Sequence, residues 1–390
     1  MEEKIWRKSK VLNCGKLYET FKGEGIDFFT GVPDSTFKDW MKFLADNHGD
    51  GLTNIVAANE CEAVAVASGY HFSTGSCGVV YMQNSGFGKT VNPITSLADP
   101  EVYSVPMLLM IGWRGEPEKK DEPQHKKMGR IMLPLLDVLE IPYVMLPEDQ
   151  DGAAKAIAAA KEQAMQDKCP YALIVRKGIF EAYEQRNKVT QNYEMNREDA
   201  IKAIVDGFSG NEVVVSTTGK ASRELFELRE ALGQGHQNDF LTVGSMGCSS
   251  SIALGVTLGL AARNKERPVF IFDGDGAAIM QEGAFSTIGH YGSRNLTHIL
   301  FDNEAYGSTG GQPTTSPTVN FVGAALANNY KGAREVKSRE GLVSAMRDLK
   351  ESEGPQLLVV KVNKGARKDL GRPTTTPIEN KVNFMNFLSN

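Results

Sequence analysis

Short apolar runs that end in polar or glycine-rich turns recur along this chain, and segments with helical spacing of apolar residues separate them. The apolar runs lie at positions 26–29, 55–58, 79–82, 107–111, 172–175, 213–215, 269–272, 296–301 and 357–362. Runs of this length suit strands that are buried on both faces, as in a parallel sheet covered by helices. The pattern therefore predicts an α/β fold with doubly wound parallel sheets.

The two halves of the chain follow the same plan, which predicts an internal duplication of one domain. Gly86 and Gly276 are separated by the same number of positions as Gly112 and Asp302. We therefore expect two homologous doubly wound domains joined by a polar linker. The expected boundaries are 1–180 for the first domain, 181–196 for the linker, 197–366 for the second domain and 367–390 for a tail.

Two polar segments of the first half are predicted to be loops, and a helix is predicted in the second half. The glycine-rich stretch 83–92 follows the third strand, and the long stretch 116–129 follows the fourth. The second stretch is long enough to suggest a functional loop that closes as a lid. A single helix is expected over 277–290, after a tight turn.

The strongest chemical signal is a pair of polar turns that end two neighbouring strands of the second half. Asp273-Gly274-Asp275-Gly276 follows one strand, and Asp302-Asn303 follows the next. Because the carboxyl ends of parallel strands share one edge, Asp275 and Asn303 should lie a few ångströms apart. Their oxygens suit Mg²⁺, and the glycines let backbone amides approach an anion. These turns predict a metal-diphosphate site.

Other interpretations of the glycine-rich turn fit the residues less well. A nicotinamide fingerprint would require a glycine where Ile279 stands, and a Ca²⁺ loop would require more ligands and a terminal glutamate. An ordinary α/β sheet with Asp and Gly turns is the alternative that binds nothing. Glu60, which heads a helix of small residues, is either a functional carboxylate or a first-turn acid favoured by the helix dipole.

Taken together, the GDG turn, the later Asp-Asn pair and the run NECEAVAVASGY around Glu60 resemble the thiamin-diphosphate-dependent 2-oxo acid decarboxylases. That family has Asn-Asn where this chain has Asp302-Asn303. The resemblance covers nearly the whole chain. Five strings are similar to the branch that decarboxylates phosphonopyruvate, with sulfopyruvate decarboxylases as close kin: GVPDS, YMQNSG, SLADPEVYSVP, GWRGEPEKKDEPQH and STGGQPT.

The resemblance implies which residues hold the cofactor. Glu60 would hydrogen-bond the pyrimidine ring and be the catalytic residue, while Asp275, Asn303 and the Ala305 carbonyl would bind Mg²⁺. The other cofactor contacts would come from Thr218, Gly219, Met246, Gly274, Gly276, Ala277 and Ala278. Met246 would support the bent cofactor, although a plain core methionine fits the composition equally well. The cofactor would lie between two subunits, which implies a homodimer or a larger even oligomer.

The implied substrate is a small anionic 2-oxo acid. Because the net charge is −5, a local basic patch must attract its second anion, and the first candidates are Arg114, Lys89 and His125. The full set of candidate substrate residues is Asp34, Ser35, Asn84, Ser85, Lys89, Arg114, Gln124 and His125. Three alternatives stay open: decarboxylation of sulfopyruvate, carboligation as in acetohydroxyacid synthases, and a cofactor-binding paralogue without activity, against which the presence of Glu60 argues.

Composition narrows the setting of this chemistry. A chain of 390 residues with 41% hydrophobic and 23% charged residues is long enough for two globular domains. No long apolar run or signal-like N-terminus is present, so we expect a cytoplasmic protein. Five scattered cysteines indicate neither a disulfide framework nor a zinc site. A pI near 5.8 argues against nucleic-acid and membrane partners.

Overall fold

The computed structural model describes residues 11–49, 51–187, 190–307 and 309–390. The chain divides into two compact units, Met1–Lys188 and Val189–Asn390. Each unit contains one six-stranded sheet. All the pairings within these two sheets are parallel. No helix in the described part of the chain is long and apolar enough to cross a membrane.

The first unit is an α/β sandwich with helices on both faces of its sheet. Its strands are β1 (Phe28–Gly31), β2 (Thr53–Val56), β3 (Gly78–Gln83), β4 (Met107–Gly112), β5 (Tyr143–Met145) and β6 (Pro170–Val175). Its helices are α1 (Cys14–Gly23), α2 (Lys38–Asn47), α3 (Glu60–Thr74), α4 (Asn84–Pro93), α5 (Pro123–Val138) and α6 (Gln150–Asp167).

Alternation along β3 shows why these strands are apolar throughout. Val79 and Tyr81 pack into one core with α1, α2 and α6, whereas Val80 and Met82 pack into a second core with α3, α4 and α5. Successive side chains of a strand point to opposite faces, so a sheet covered on both sides needs apolar residues at every position. The strand order is β2-β1-β3-β4-β6-β5.

The second unit repeats this architecture. Its sheet strands are β7 (Val213–Ser216), β8 (Asp239–Leu241), β9 (Val269–Gly274), β10 (Leu296–Asp302), β13 (Gly332–Val336) and β14 (Gln356–Lys361), and β11 (Ala305–Tyr306) and β12 (Gln312–Pro313) form a separate hairpin. Its helices are α7 (Arg197–Val205), α8 (Lys220–Ala231), α9 (Ser249–Ala261), α10 (Asp275–Met280), α11 (Gly283–Tyr291), α12 (Phe321–Ala327), α13 (Arg339–Leu349) and α14 (Pro377–Ser389).

The order of the second sheet confirms the predicted duplication of a doubly wound domain. Its strands run β13-β14-β10-β9-β7-β8. If the strands of each sheet are numbered 1 to 6 along the chain, both sheets have the order 2-1-3-4-6-5, the second one being followed from its β8 edge. The order reverses between β1 and β3 and, in the repeat, between β7 and β9. Ligands of open α/β sheets bind at the carboxyl edge near such a switch point.

Three sequence-based element assignments are wrong. Residues 83–92 are not a loop: α4 begins at Asn84 and buries Phe87 and Thr90 on one face, so tertiary packing outweighs the low helix propensity of its glycines. The predicted loop 116–129 ends early, because α5 begins at Pro123, a favourable first helical residue. The predicted helix 277–290 is two helices, and the first already begins at Asp275.

Candidate active site

Asp275 is the centre of a polar cluster in the second unit. It begins α10 directly after β9, and 3% of its surface is exposed. Burial, and then the neighbouring carboxylate of Asp302, raise the pKa of Asp275 to about 7. Hydrogen bonds from Thr314 and from the backbone amides of Gly276 and Asn303 offset part of this rise. A cation would stabilise a buried carboxylate that lies beside a second one, so the position suits a metal ion.

Asn303 follows β10, the strand paired with β9, and its backbone amide reaches the Asp275 carboxylate. The Asn303 side-chain oxygen Oδ1 accepts a hydrogen bond from the Ala305 amide at 3.1 Å. The Ala305 carbonyl accepts one from the Gly307 amide, with an N···O distance of 2.9 Å. The structure thus brings the three predicted metal ligands to one edge of the sheet.

Asp302, the residue that departs from the family motif, belongs to a buried ion pair. Lys361 Nζ lies 2.7 Å from Asp302 Oδ2 and 3.0 Å from Glu304 Oε1. Ser316 Oγ also donates to Asp302 Oδ2, at 2.5 Å. Asp302 is 1% exposed and Lys361 8%. Burial lowers the pKa of Lys361, but the contacts with Asp302 and Glu304 outweigh burial and raise it above its ordinary value.

Two side chains from the segment before α7 hold the Asn303 turn from another side. Gln191 Nε2 donates to the Asn303 carbonyl at 2.9 Å, and the Tyr193 hydroxyl donates to Glu304 Oε1 at 2.6 Å. Part of the stretch that the sequence predicts to be a linker therefore supports the predicted metal site.

Glycines let the surrounding loops approach α10 closely. A Cβ on Gly276 would lie 2.7 Å from the Tyr306 ring and 3.4 Å from Met246 Cε, so the position requires glycine. Gly274, by contrast, has nothing within 4 Å of its Cβ position, which leaves that side of the turn open. Ala277 and Ala278 are the next buried residues of α10. Met246 therefore lies beside the predicted diphosphate turn.

The turn after β7 completes this edge of the second sheet. The Thr218 hydroxyl oxygen accepts a hydrogen bond from the Gly244 amide at 3.0 Å. Gly219 has a φ of +102°, a conformation that favours glycine, and no atom lies within 4 Å of its Cβ position. Lys220, the first residue of α8, donates from Nζ to the Gly307 carbonyl at 3.1 Å.

The donor set fits a metal ion that shares its ligands with a diphosphate. In the ranges that the structure describes, no group of three or more His, Cys, Asp and Glu side chains could hold a metal ion. Mg²⁺ commonly binds one or two carboxylates together with phosphate oxygens and water. One buried carboxylate, one amide and one backbone carbonyl, beside the open Gly274 turn, match that description.

Glu60 occupies a tight position in the first unit. It begins α3, and 5% of its surface is exposed. Its Oε1 lies against α4, because a Cβ on Gly86 would be only 2.0 Å from that atom. Oε2 has no hydrogen-bond partner among the described residues, and Lys89 Nζ lies 3.7 Å away from it. A buried carboxylate oxygen that accepts no hydrogen bond is available to bind a ligand group.

Arg114 is held by an acidic side chain that the sequence analysis did not single out. Its Nε and Nη2 donate to the two carboxylate oxygens of Asp121 at 2.8 and 2.5 Å, and Nη1 donates to Ser35 Oγ at 3.0 Å. Burial raises the pKa of Asp121, but the Arg114 and Gly115 hydrogen bonds outweigh it and bring the pKa to about 2. The guanidinium is therefore fixed in orientation, and its charge is balanced.

The other candidate substrate residues surround Arg114 at the carboxyl edge of the first sheet. The Asn84 side-chain amide donates to the Arg114 carbonyl at 2.7 Å. Burial, and then the charge of Arg114, lower the pKa of His125 to about 4, so its ring is neutral near pH 7. His125 therefore adds no positive charge to the predicted basic patch. Gln124, beside it in α5, has a buried Oε1 without a partner among the described residues.

Asp34 and Ser85 are joined through Gln83, a residue that the sequence analysis missed. Gln83 Nε2 donates to Asp34 Oδ1 at 2.6 Å, and Ser85 Oγ donates to Gln83 Oε1 at 2.7 Å. Asp34 is fully buried against Gly112, and burial raises its pKa. Gln83 ends β3 in register with Gly112 of β4, so its position after the apolar run was the available signal.

Comparisons with known proteins agree with this architecture. Residues 16–133 match the family model described as thiamine pyrophosphate enzyme, N-terminal TPP binding domain, and residues 217–360 match its C-terminal TPP binding domain. A phosphonopyruvate decarboxylase of Streptomyces viridochromogenes is 32% identical, with 97% of this chain and 96% of the relative covered. A phosphonopyruvate decarboxylase of Streptomyces hygroscopicus is 31% identical, with 97% of this chain and 94% of the relative covered. A sulfopyruvate decarboxylase of Methanosarcina acetivorans is 25% identical, with 86% and 87% covered.

The fold, the two matched domains and the polar turns at both sheet edges define a thiamine pyrophosphate enzyme. The identity of 31–32% to two phosphonopyruvate decarboxylases, over 97% of this chain, narrows the class to one family. It belongs to the phosphonopyruvate decarboxylase family.

Proposed function

We propose that the protein decarboxylates 3-phosphonopyruvate to phosphonoacetaldehyde and carbon dioxide, with thiamin diphosphate and Mg²⁺ as cofactors, in phosphonate biosynthesis of the 2-aminoethylphosphonate type. The observation that carries the proposal is the near full-length match to phosphonopyruvate decarboxylases. The buried carboxylates of Glu60 and Asp275, which this chemistry needs, support it.

The second unit holds the diphosphate and the metal in this proposal. Asp275, Asn303 and the Ala305 carbonyl would bind Mg²⁺, and the amides near Ala277 and Ala278 would bind the diphosphate. The Lys361 ion pair and the Gln191 hydrogen bond keep the Asn303 turn in place. Thr218, Gly219, Met246, Gly274 and Gly276 would provide further contacts of this unit.

The first unit supplies the catalytic carboxylate. Glu60 would hold the pyrimidine ring by a hydrogen bond and exchange a proton with it. Its Oε2 is suited to this role, because it is buried and accepts no hydrogen bond from the described residues. When bound, the cofactor would supply a thiazolium group able to accept the electron pair that is left when a 2-oxo acid loses carbon dioxide. Gly86 leaves the space that the Glu60 side chain occupies. The cofactor spans two subunits of a homodimer or a larger even oligomer, as the family resemblance implies.

The substrate binds at the carboxyl edge of the first sheet. Asp121 fixes the guanidinium of Arg114. Its Nη1 group carries two N–H donors, and the one that does not bind Ser35 Oγ donates to the phosphonate. Lys89 and the neutral His125 add hydrogen-bond donors. The other polar side chains placed at this edge are Asp34, Asn84, Ser85 and Gln124.

Sulfopyruvate decarboxylation is the second candidate function, because a sulfopyruvate decarboxylase also matches over most of the chain. Both substrates combine a 2-oxo acid with a second anion, and the higher identity to phosphonopyruvate decarboxylases favours the phosphonate.

Purified protein with thiamin diphosphate and Mg²⁺, given phosphonopyruvate, sulfopyruvate and pyruvate in turn, tests the proposal. Aldehyde and carbon dioxide are measured for each substrate, together with any carboligation product. We expect the highest kcat/KM with phosphonopyruvate and equal amounts of aldehyde and carbon dioxide. A preference for sulfopyruvate would establish the second candidate, and carbon dioxide without aldehyde would indicate carboligation. Binding of thiamin diphosphate without any product would indicate an inactive paralogue.

A further inference from the structure

Lys220 lies at the switch point of the second sheet. It begins α8 immediately after the turn that ends β7. Asp275 begins α10 after β9, and β7 and β9 are paired neighbours. The chain continues from β7 to β8 on one side and from β9 to β10 on the other. The two residues therefore flank the position where ligands of open α/β sheets bind.

The Lys220 ammonium group points at the turn that carries Asn303. Its Nζ donates to the Gly307 carbonyl at 3.1 Å. A Cβ on Gly307 would lie 4.0 Å from Lys220 Nζ and 3.9 Å from Asn303 Nδ2. The absence of a side chain at Gly307 therefore leaves a space that a lysine ammonium and an asparagine amide both border.

The charge of Lys220 is not balanced by an ion pair within the described residues. The nearest acidic side chain of its own helix, Glu224, is bound by Arg197 through hydrogen bonds of 2.6 and 2.7 Å. Burial, and then the positive charge of Arg197, lower the pKa of Lys220. A partly buried cation in such surroundings is stabilised by an anion that approaches from the open side.

We propose that the Lys220 ammonium binds a phosphoryl oxyanion at this switch point. The identity of the anion rests on the proposed function: it is either the diphosphate of the cofactor or the phosphonate of the substrate. Both present the same tetrahedral oxygens, and Lys220 binds them as a point charge. Neither the sequence motifs nor the family models assign Lys220 this role.

The test compares Lys220→Met with Lys331→Met. Lys331 is exposed and precedes β13, at the opposite, amino edge of the same sheet. Each variant removes one positive charge from the same unit, so the control corrects for the overall field. Lys220→Arg keeps the charge, and Lys220→Gln replaces the Met variant if circular dichroism shows that the latter is unfolded.

Calorimetry with thiamin diphosphate and Mg²⁺, and separately with unphosphorylated thiamin, measures binding without turnover. Loss of one charged hydrogen bond should raise the Kd of the diphosphate about 10- to 100-fold in Lys220→Met. The Kd of thiamin should not change. The Kd of the diphosphate should stay within about 2-fold of the wild-type value in the two other variants. Lys220→Arg keeps a positive charge at the site, and Lys331→Met leaves Lys220 in place.

A second arm separates the two sources of the anion. If the Kd of thiamin diphosphate is unchanged but the KM for phosphonopyruvate rises about 10-fold or more at saturating cofactor, the substrate phosphonate is the ligand. If neither constant changes, or if thiamin binding falls equally, the proposal is refuted and Lys220 only supports the Gly307 turn. If the wild-type protein turns over no 2-oxo acid, but Lys220→Met still weakens binding of thiamin diphosphate, the proposed function is refuted and this inference stands.

Discussion

The contact between Gly86 and Glu60 gives the sharpest test of the catalytic assignment. In Gly86→Ala, the added Cβ would lie 2.0 Å from Glu60 Oε1. Carbon and oxygen atoms do not approach so closely, so the carboxylate must move by about 1 Å or more. Because displacement of a reacting group by about 1 Å costs about 100-fold, kcat/KM should fall by that factor, or about 2.7 kcal/mol.

Gly88→Ala is the matched control. Gly88 lies in the same helix α4, is exposed and has nothing within 4 Å of its Cβ position. Replacing a helical glycine by alanine should raise the free energy of unfolding by about 0.5–1 kcal/mol. We expect Gly88→Ala to show this gain with unchanged kcat/KM, whereas Gly86→Ala should lack the gain because of the clash.

The assay is decarboxylation of phosphonopyruvate at saturating thiamin diphosphate and Mg²⁺, with urea unfolding to measure stability. Glu60→Gln serves as the reference, since an amide cannot exchange the proton. If Glu60→Gln is inactive but Gly86→Ala is as active as Gly88→Ala, then α4 does not hold the Glu60 carboxylate in position. Full activity of Glu60→Gln would remove Glu60 from the mechanism.

Three further predictions concern charges. Lys361→Met should lower the free energy of unfolding by about 3–5 kcal/mol, because it leaves the charge of Asp302 buried and unpaired. Adding Asp302→Asn should recover most of this loss. Strictly additive effects of the two substitutions in urea unfolding would contradict the prediction. The pKa of Asp275 is raised from 3.8 to about 7, so between those values the folded apoprotein binds a proton that the unfolded chain lacks. The stability of the apoprotein should therefore fall as pH rises from about 4 to 7, while its Mg²⁺ affinity rises by up to about tenfold per pH unit. Asp275→Asn should abolish both trends when they are measured by calorimetry. Arg114→Ala should lower kcat/KM for phosphonopyruvate by about 1.5–3 kcal/mol and leave any pyruvate turnover unchanged, whereas equal losses would assign Arg114 to the fold or the carboxylate.

The sequence by itself was sufficient for the fold class and for the duplication. Strands buried on both faces need apolar residues at every position, so runs such as 79–82 and 296–301 are visible without any knowledge of their neighbours. Turns at strand ends are equally local, which is why the Asp275 and Asn303 positions could be singled out. Their roles in cofactor and metal binding, like that of Glu60, stay predictions.

Tertiary structure decided whatever depends on partners distant in the sequence. The stretch 83–92 has the composition of a loop, and only packing of Phe87 against the sheet makes it helical. The sequence predicts an available charge on Arg114, whereas the structure pairs its guanidinium with Asp121, and the sequence could not show that Lys361 balances Asp302. Burial and a nearby cation likewise determine that His125 is neutral. Protonation and pairing depend on solvent exclusion and on short distances between atoms, and the folded chain alone determines both.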